Sequence, residues 1–92
     1  MKVRYTATAR AEIEDILSNI ERDSPRAAAA VAATIKTAIV RLASFPKIGA
    51  PTDLPGIFVK ISRPYRYLIF YRIDGATIVI RNVRHPARRR PI

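Results

Sequence analysis

The chain of 92 residues contains no cysteine and no tryptophan, and its only histidine is His85. The absence of cysteine excludes disulfides and every metal site that depends on thiolate ligands. A structural zinc site is also unfavourable, because one histidine and seven acidic residues offer few alternative ligands. We therefore expect no metal and no cofactor.

The sequence pattern also predicts no membrane-spanning segment. We find no apolar run approaching the roughly 20 residues that cross a membrane. The opening sequence MKVRYTATAR becomes polar too early for a secretion signal. We therefore expect one cytoplasmic domain over residues 1–92, without membrane contact.

Charge of one sign dominates the second half of the chain. The net charge is +10, and the segment from Leu54 onward has nine basic residues and one acid, Asp74, a net charge of +8. A field of one sign attracts an anionic partner, which is either nucleic acid or an acidic protein. Charge alone does not choose between them.

The first half of the chain predicts a strand followed by two helices. The alternating segment Lys2–Ala7 favours a short strand. Thr8 is a suitable N-cap for a helix from about Ala9 to Arg22. The apolar stripe of this helix is Ile13, Ile16, Leu17 and Ile20.

The second helix has the stronger start signal. Ser24 is a good N-cap and Pro25 suits the first helical position. Pro46 ends the helix, whose apolar stripe is Val31, Ile35, Ile39 and Leu42. With a short connection around residues 23–24, the two helices are expected to form an antiparallel hairpin.

Three strands are predicted to follow a connector rich in proline and glycine. They are Ile57–Ser62, Tyr65–Ile73 and Ala76–Val83, and Asp74-Gly75 is a hairpin signal between the last two. The element order β-α-α-β-β-β predicts an α+β fold, with the helical hairpin packed on a small, mainly antiparallel sheet.

Both faces of the central predicted strand are partly apolar. One face carries Tyr67, Ile69, Tyr71 and Ile73, and the other carries Arg66, Leu68, Phe70 and Arg72. Because the hairpin can cover only one face, a partner is expected to cover part of the other. The aromatic residues interleaved with arginine would suit stacking on single-stranded bases, although core packing also accounts for most of them.

Catalytic groups are sparse. Asp53 and Asp74 lie in turn sequences, where aspartate is favoured for structural reasons. His85 could serve a metal-independent nuclease as general acid or base, with arginines stabilising the phosphorane. The alternative is a histidine at a strand end that bonds locally or meets a partner.

The segment RYLIFYRIDGATIVIRNVRHPARR, residues 66–89, resembles the ParE branch of the RelE/ParE toxins of type II toxin–antitoxin systems. These toxins commonly read R-Y-L-I-F-Y-R, then a turn, an I-x-I-x-R-V strand and H-G-A-R. Three departures stand out. Pro86 replaces the usual glycine, Asn82 disturbs the I-x-I-x-R-V register, and Leu68 stands where RelE-type messenger-RNA endonucleases usually carry arginine.

The resemblance implies a toxin that inhibits DNA gyrase and is neutralised by a ParD-like antitoxin. Such an antitoxin has a ribbon-helix-helix N-terminus and an acidic C-terminal segment. The alternative is a RelE-type, ribosome-dependent messenger-RNA endonuclease. We expect no catalytic residue and no direct nucleic-acid binding. The residues expected to contact antitoxin or target are Arg63, Arg66, Arg72, Arg81, Arg84, His85 and Arg88.

Overall fold

The computed structural model describes residues 1–86, which form two helices on one face of a five-stranded sheet. The elements are β1 (Lys2–Tyr5), α1 (Ala7–Glu21), α2 (Pro25–Ser44), β2 (Ala50–Pro51), β3 (Phe58–Ser62), β4 (Tyr67–Asp74) and β5 (Thr77–Arg84). The sheet order is β1-β5-β4-β3-β2, with β1 parallel to β5 and the other neighbours antiparallel. This confirms the predicted α+β fold and adds one strand, β2, that was not predicted.

The start of α1 differs from the prediction. Thr6, rather than Thr8, is the N-cap, and its hydroxyl oxygen accepts a hydrogen bond from the Ala9 N–H at 3.0 Å. The main chain of Thr6 is held by the sheet, because its N–H donates to the Ile80 carbonyl at 3.0 Å. Pairing between β1 and β5 therefore decides which threonine caps the helix, and Thr8 lies exposed in the first turn.

The predicted start of α2 is confirmed. The Ser24 hydroxyl accepts from the Ala27 N–H at 3.0 Å, and Pro25 is the first helical residue. With 20 residues, α2 is long and apolar enough to cross a membrane by length and composition alone, which corrects our statement that no run approaches this length. Six residues of α2 are buried in this fold, so it serves here as a core helix.

The core lies between the helices and one face of the sheet. Tyr67, Ile69 and Tyr71 of β4, which the alternation placed on one face of the strand, are buried there. Leu68 and Phe70 point to the opposite face and are only half-buried. The helices thus cover one side of β4, and its other side keeps an apolar surface.

Tyr71 ties the connector after α2 to the sheet. Its hydroxyl donates to the Pro46 carbonyl at 2.7 Å and accepts from the Gly49 N–H at 3.0 Å. A Cβ atom at Gly49 would lie 2.5 Å from the Tyr71 hydroxyl, so this close approach requires glycine. Burial raises the pKa of Tyr71, and the hydrogen bond from Gly49 only partly offsets that effect.

The turn between β3 and β4 is longer than predicted. Arg66 was expected to lie in the central strand, but β4 begins at Tyr67. The Arg66 N–H donates to the Ser62 carbonyl at 2.7 Å, and Arg66 itself has a positive φ of 66°. Residues 63 and 64 lie outside the predicted strands, but no glycine marks residues 65 and 66, which were wrongly assigned to the central strand.

The register between β4 and β5 contains a bulge. Phe70 lies opposite Asn82, whereas the next residue, Tyr71, lies opposite Ile80. Arg81 is therefore the extra residue, and from this point β5 changes the alternation of its side chains. The bulge lies beside Asn82, the residue that departs from the family's strand pattern.

We predict that Tyr71→Phe lowers the free energy of unfolding by about 1–3 kcal/mol, because the Pro46 carbonyl and the Gly49 N–H lose their partner. Tyr65→Phe is the matched control, since Tyr65 is exposed. Urea unfolding followed by circular dichroism measures both variants. Equal stability of the two would show that the Tyr71 hydroxyl does not hold the connector.

Candidate protein-interaction site at the end of the sheet

Four of the predicted contact residues meet at one end of the sheet. Ser62 pairs with Tyr67 across the β3–β4 turn, and Leu68 pairs with Arg84 near the end of β5. The Tyr67 and His85 rings are in edge-on contact, with centroids 5.2 Å apart. We call this region the basic sheet end, and its members are Arg63, Arg66, Arg84 and His85.

The β3–β4 turn presents two of these cations to solvent. Arg63 and Arg66 are both exposed. A positive φ is uncommon for a residue with a side chain, and such conformations concentrate where the surrounding structure imposes them. The turn therefore holds the Arg66 side chain in a direction that a regular strand would not give.

Arg72 and Arg81 lie away from this end. Arg72 is four residues along β4 from Leu68, a separation of about 13 Å. It forms an ion pair with Asp74 at 3.8 Å, in which both side chains are largely exposed, so the pair is weak. Arg81 occupies the bulge, and its carbonyl accepts a hydrogen bond from the Thr6 hydroxyl at 2.8 Å.

Glu12, a residue that the sequence pattern did not single out, organises the end of β5. One of its carboxylate oxygens accepts from the Val83 N–H at 2.9 Å and from the Asn82 side-chain amide at 3.3 Å. The other oxygen lies 3.3 Å from Arg84 Nε. Because β1 stops opposite Ile80, this carboxylate takes the place of a strand neighbour for Val83.

The contact between Glu12 and Arg84 is electrostatic and not a well-aligned hydrogen bond. Arg84 Nε is buried and makes no hydrogen bond of good geometry within residues 1–86, despite its 3.3 Å distance from the carboxylate. The positive charge of Arg84 is thus partly balanced inside the molecule. Its predicted role in contacting an antitoxin or target stays a prediction.

His85 lines a groove of about 300 Å³ between β5 and the helical hairpin. The same groove contains Asp23 and Asn19, and no lysine or arginine among residues 1–86 lines it. A carboxylate in such a groove disfavours a bound phosphate. Arg88, the remaining predicted contact residue, lies outside the described residues.

Metal chemistry finds no support in the described part of the chain. Among residues 1–86, no three histidine, aspartate or glutamate side chains are grouped so that they could hold a metal ion. The basic sheet end therefore consists of three arginines and one imidazole, and the neighbouring Glu12 carboxylate tethers β5. This composition suits contact with an anionic macromolecular surface.

Comparison with known proteins places these features in a family. Residues 3–90 match the family model described as the ParE toxin of the parDE type II toxin–antitoxin system. The chain belongs to the ParE toxin family. As a member of this family, it is the toxin of a type II toxin–antitoxin system.

Relatives and solved structures agree with this assignment. The chain is 36% identical over 73 residues to Y4kP of Sinorhizobium fredii, a protein inferred to be a toxin, covering 79% of this chain and 76% of that protein. A chain of the chromosomal ParDE toxin–antitoxin system of P. aeruginosa has the same fold, with a TM-score of 0.80, 19% identity and coverage of 92% and 95%. A chain of the RelBE2 toxin–antitoxin complex of Mycobacterium tuberculosis matches with a TM-score of 0.60, 32% identity and coverage of 91% and 95%.

In this ParE-family toxin we predict that Glu12→Ala lowers the free energy of unfolding by about 1–3 kcal/mol, because it leaves the Val83 N–H without its acceptor and Arg84 without its counter-charge. Amide hydrogen exchange at Val83 should accelerate at the same time. Glu14→Ala is the control, because Glu14 is exposed on the same helix. Unchanged exchange at Val83 in Glu12→Ala would contradict the tethering role.

Proposed function

We propose that this toxin acts in the cytoplasm by inhibiting DNA gyrase, and that a ParD-like antitoxin neutralises it. The antitoxin would have a ribbon-helix-helix N-terminus and an acidic C-terminal segment. The observation that carries the proposal is the exposed Arg63–Arg66 turn at the end of the sheet. It offers positive charge for contact with a protein surface.

The arrangement of groups around His85 argues against phosphodiester cleavage. Such cleavage needs a positioned acid or base together with cations directed at the same phosphate. Here Asp23 shares the His85 groove, and Arg84 lies against Glu12. Leu68, which stands where the endonucleases usually carry arginine, cannot bind phosphate. We therefore assign no catalytic residue.

One observation favours the second candidate, a RelE-type messenger-RNA endonuclease. The match to the RelBE2 complex has a higher identity, 32%, than the match to the ParDE system, 19%. The higher TM-score belongs to the ParDE system, 0.80 against 0.60. Sequence identity thus favours the RelBE2 chain, whereas backbone similarity favours the ParDE chain. An assay of the target distinguishes the two candidate functions.

The binding of an acidic antitoxin is supported by charge. The segment after residue 53 has a net charge of +8, which would accelerate encounter with an acidic chain and make it sensitive to salt. A small domain with apolar groups left half-buried on its open sheet face, such as Phe70, would also gain stability from such a partner.

We predict that the purified toxin inhibits supercoiling by gyrase and does not inhibit relaxation by topoisomerase I, which is the control. When it is expressed without antitoxin, cells should show a DNA-damage response while their translated messages stay intact. Supercoiling gels and transcript sequencing measure the two effects. Cleavage of translated messages without DNA damage would replace the gyrase proposal with the endonuclease alternative.

We predict that Arg66→Asn greatly reduces toxicity while changing the free energy of unfolding by less than about 1 kcal/mol, because asparagine tolerates a positive φ. Lys47→Asn is the control, since Lys47 is an exposed cation in the connector after α2, whereas the start of α2 borders the His85 groove. Growth after induction and urea unfolding measure the two properties. Full toxicity of a folded Arg66→Asn protein would exclude Arg66 from the target contact.

A further inference from the structure

A groove of about 340 Å³ separates α2 from the outer edge of β3. Small side chains of α2, including Thr34 and Thr37, form one wall, and residues 60–63 form the other. Three cations also line it: Arg41 of α2, Lys60 of β3 and Arg63 of the turn. No acidic residue within the described range 1–86 lines the groove, so its charge there is of a single sign. We call it the α2–β3 groove.

The wall formed by β3 has an unpaired edge. The short strand β2 pairs only with Phe58 and Val59. Just before these residues, the Ile57 carbonyl accepts from the Thr52 N–H at 3.0 Å, so Ile57 directs its carbonyl away from β4. Main-chain groups alternate in direction along a strand, and Ile61 therefore points the same way as Ile57 and Val59. Among residues 1–86, no strand pairs with Ile61 on that side.

A buried hydroxyl lies beside this edge. Ser62 is 2% exposed, and its hydroxyl has no hydrogen-bond partner among residues 1–86. Buried polar groups are almost always paired in folded proteins, so an unpaired one in the wall of a groove calls for an explanation. A polar side chain on a strand added beside β3 would supply the missing partner.

We propose that an extended, acidic peptide segment of the antitoxin binds in the α2–β3 groove by adding a strand to the free edge of β3. Its main chain pairs with Ile61, its carboxylates lie near Arg41, Lys60 and Arg63, and its small or apolar side chains contact the wall formed by α2. Strand addition of this kind gains affinity from main-chain hydrogen bonds and specificity from the flanking side chains. The inference rests on the antitoxin part of the proposed function and is independent of the toxin's target.

Charge distinguishes this groove from the larger one beside β1. That groove has a volume of about 560 Å³, and it contains Glu14 together with Arg10 and Lys36. Its mixed charges do not select an acidic partner. The α2–β3 groove combines charge of one sign, an unpaired strand edge and an unpaired hydroxyl, and these three features require the same kind of occupant.

The test uses the full-length toxin and the small protein encoded beside it, purified together and apart. Amide hydrogen exchange at Ile61 should slow by at least about tenfold in the complex. The edge strand β1, residues 2–5, is the internal control for the opposite side of the sheet. Protection confined to β1, or to the helices, would overturn the assignment of the groove.

Charge reversal provides the second arm. Lys60→Glu with Arg63→Glu should weaken the complex by about tenfold or more at low salt and reduce its salt dependence. Arg26→Glu with Lys47→Glu is the matched control, because both residues are exposed cations that do not line this groove. The control should change affinity by less than about threefold.

The outcomes separate the two proposals. Equal affinities of the two double variants would overturn the docking site and leave the antitoxin itself established. If the adjacent protein does not bind the unaltered toxin, both the docking site and the proposed neutralisation fail. Gyrase inhibition by the free toxin is measured separately and is affected by neither result.

Discussion

The rest of this structure depends on the pairing of the β5 main chain along the side that faces away from β4. Three different groups satisfy its main chain in succession. The β1 backbone pairs with it as far as Ile80, the Thr6 hydroxyl donates to the Arg81 carbonyl, and the Glu12 carboxylate accepts from the Val83 N–H. Because Thr6 and Glu12 lie at and just beyond the start of α1, this edge fixes how the helical hairpin meets the sheet. An unpaired main-chain group at any of these positions would cost free energy comparable to a lost hydrogen bond.

The same edge determines how positive charge is distributed. Glu12 balances part of the charge of Arg84, whereas the turn residues Arg63 and Arg66 lie exposed. The bulge at Arg81 turns β5 so that Asn82 also reaches Glu12. Part of the positive charge of β5 is therefore neutralised inside the molecule. The turn between β3 and β4 presents more positive charge to a partner than β5 does.

Elements governed by local chemistry could be predicted from the sequence. The Ser24-Pro25 start of α2, the Asp74-Gly75 turn and the sorting of β4 side chains onto two faces all follow from capping, turn preference and alternation. Features set by contacts between distant segments could not. Thr6 and Thr8 are equally good caps in sequence, and only the hydrogen bond to Ile80 separates them.

In the candidate site, too, the features set by contacts between distant segments could not be predicted from the sequence. An acid on an amphipathic helix normally belongs to the solvent-exposed face, so nothing in the sequence distinguishes Glu12 from Glu14. The positive φ at Arg66 could not be predicted, because arginine has no preference for that conformation. The resemblance to ParE toxins selected the predicted contact residues, and their role stays a prediction. It did not indicate that Arg72 lies far from the other predicted residues, because strand order and register decide that.

The β3–β4 turn links the two proposed surfaces. Arg63 lines the α2–β3 groove and Arg66 belongs to the basic sheet end, and the hydrogen bond from Arg66 to Ser62 closes the turn between them. Three residues apart, they can be separated by no more than about 10 Å. That distance is close to the thickness of one extended segment with its side chains. An antitoxin strand that reaches Arg63 would therefore occupy the space through which a target must approach Arg66. Neutralisation would then follow from exclusion at a single turn, without any change in the toxin's fold.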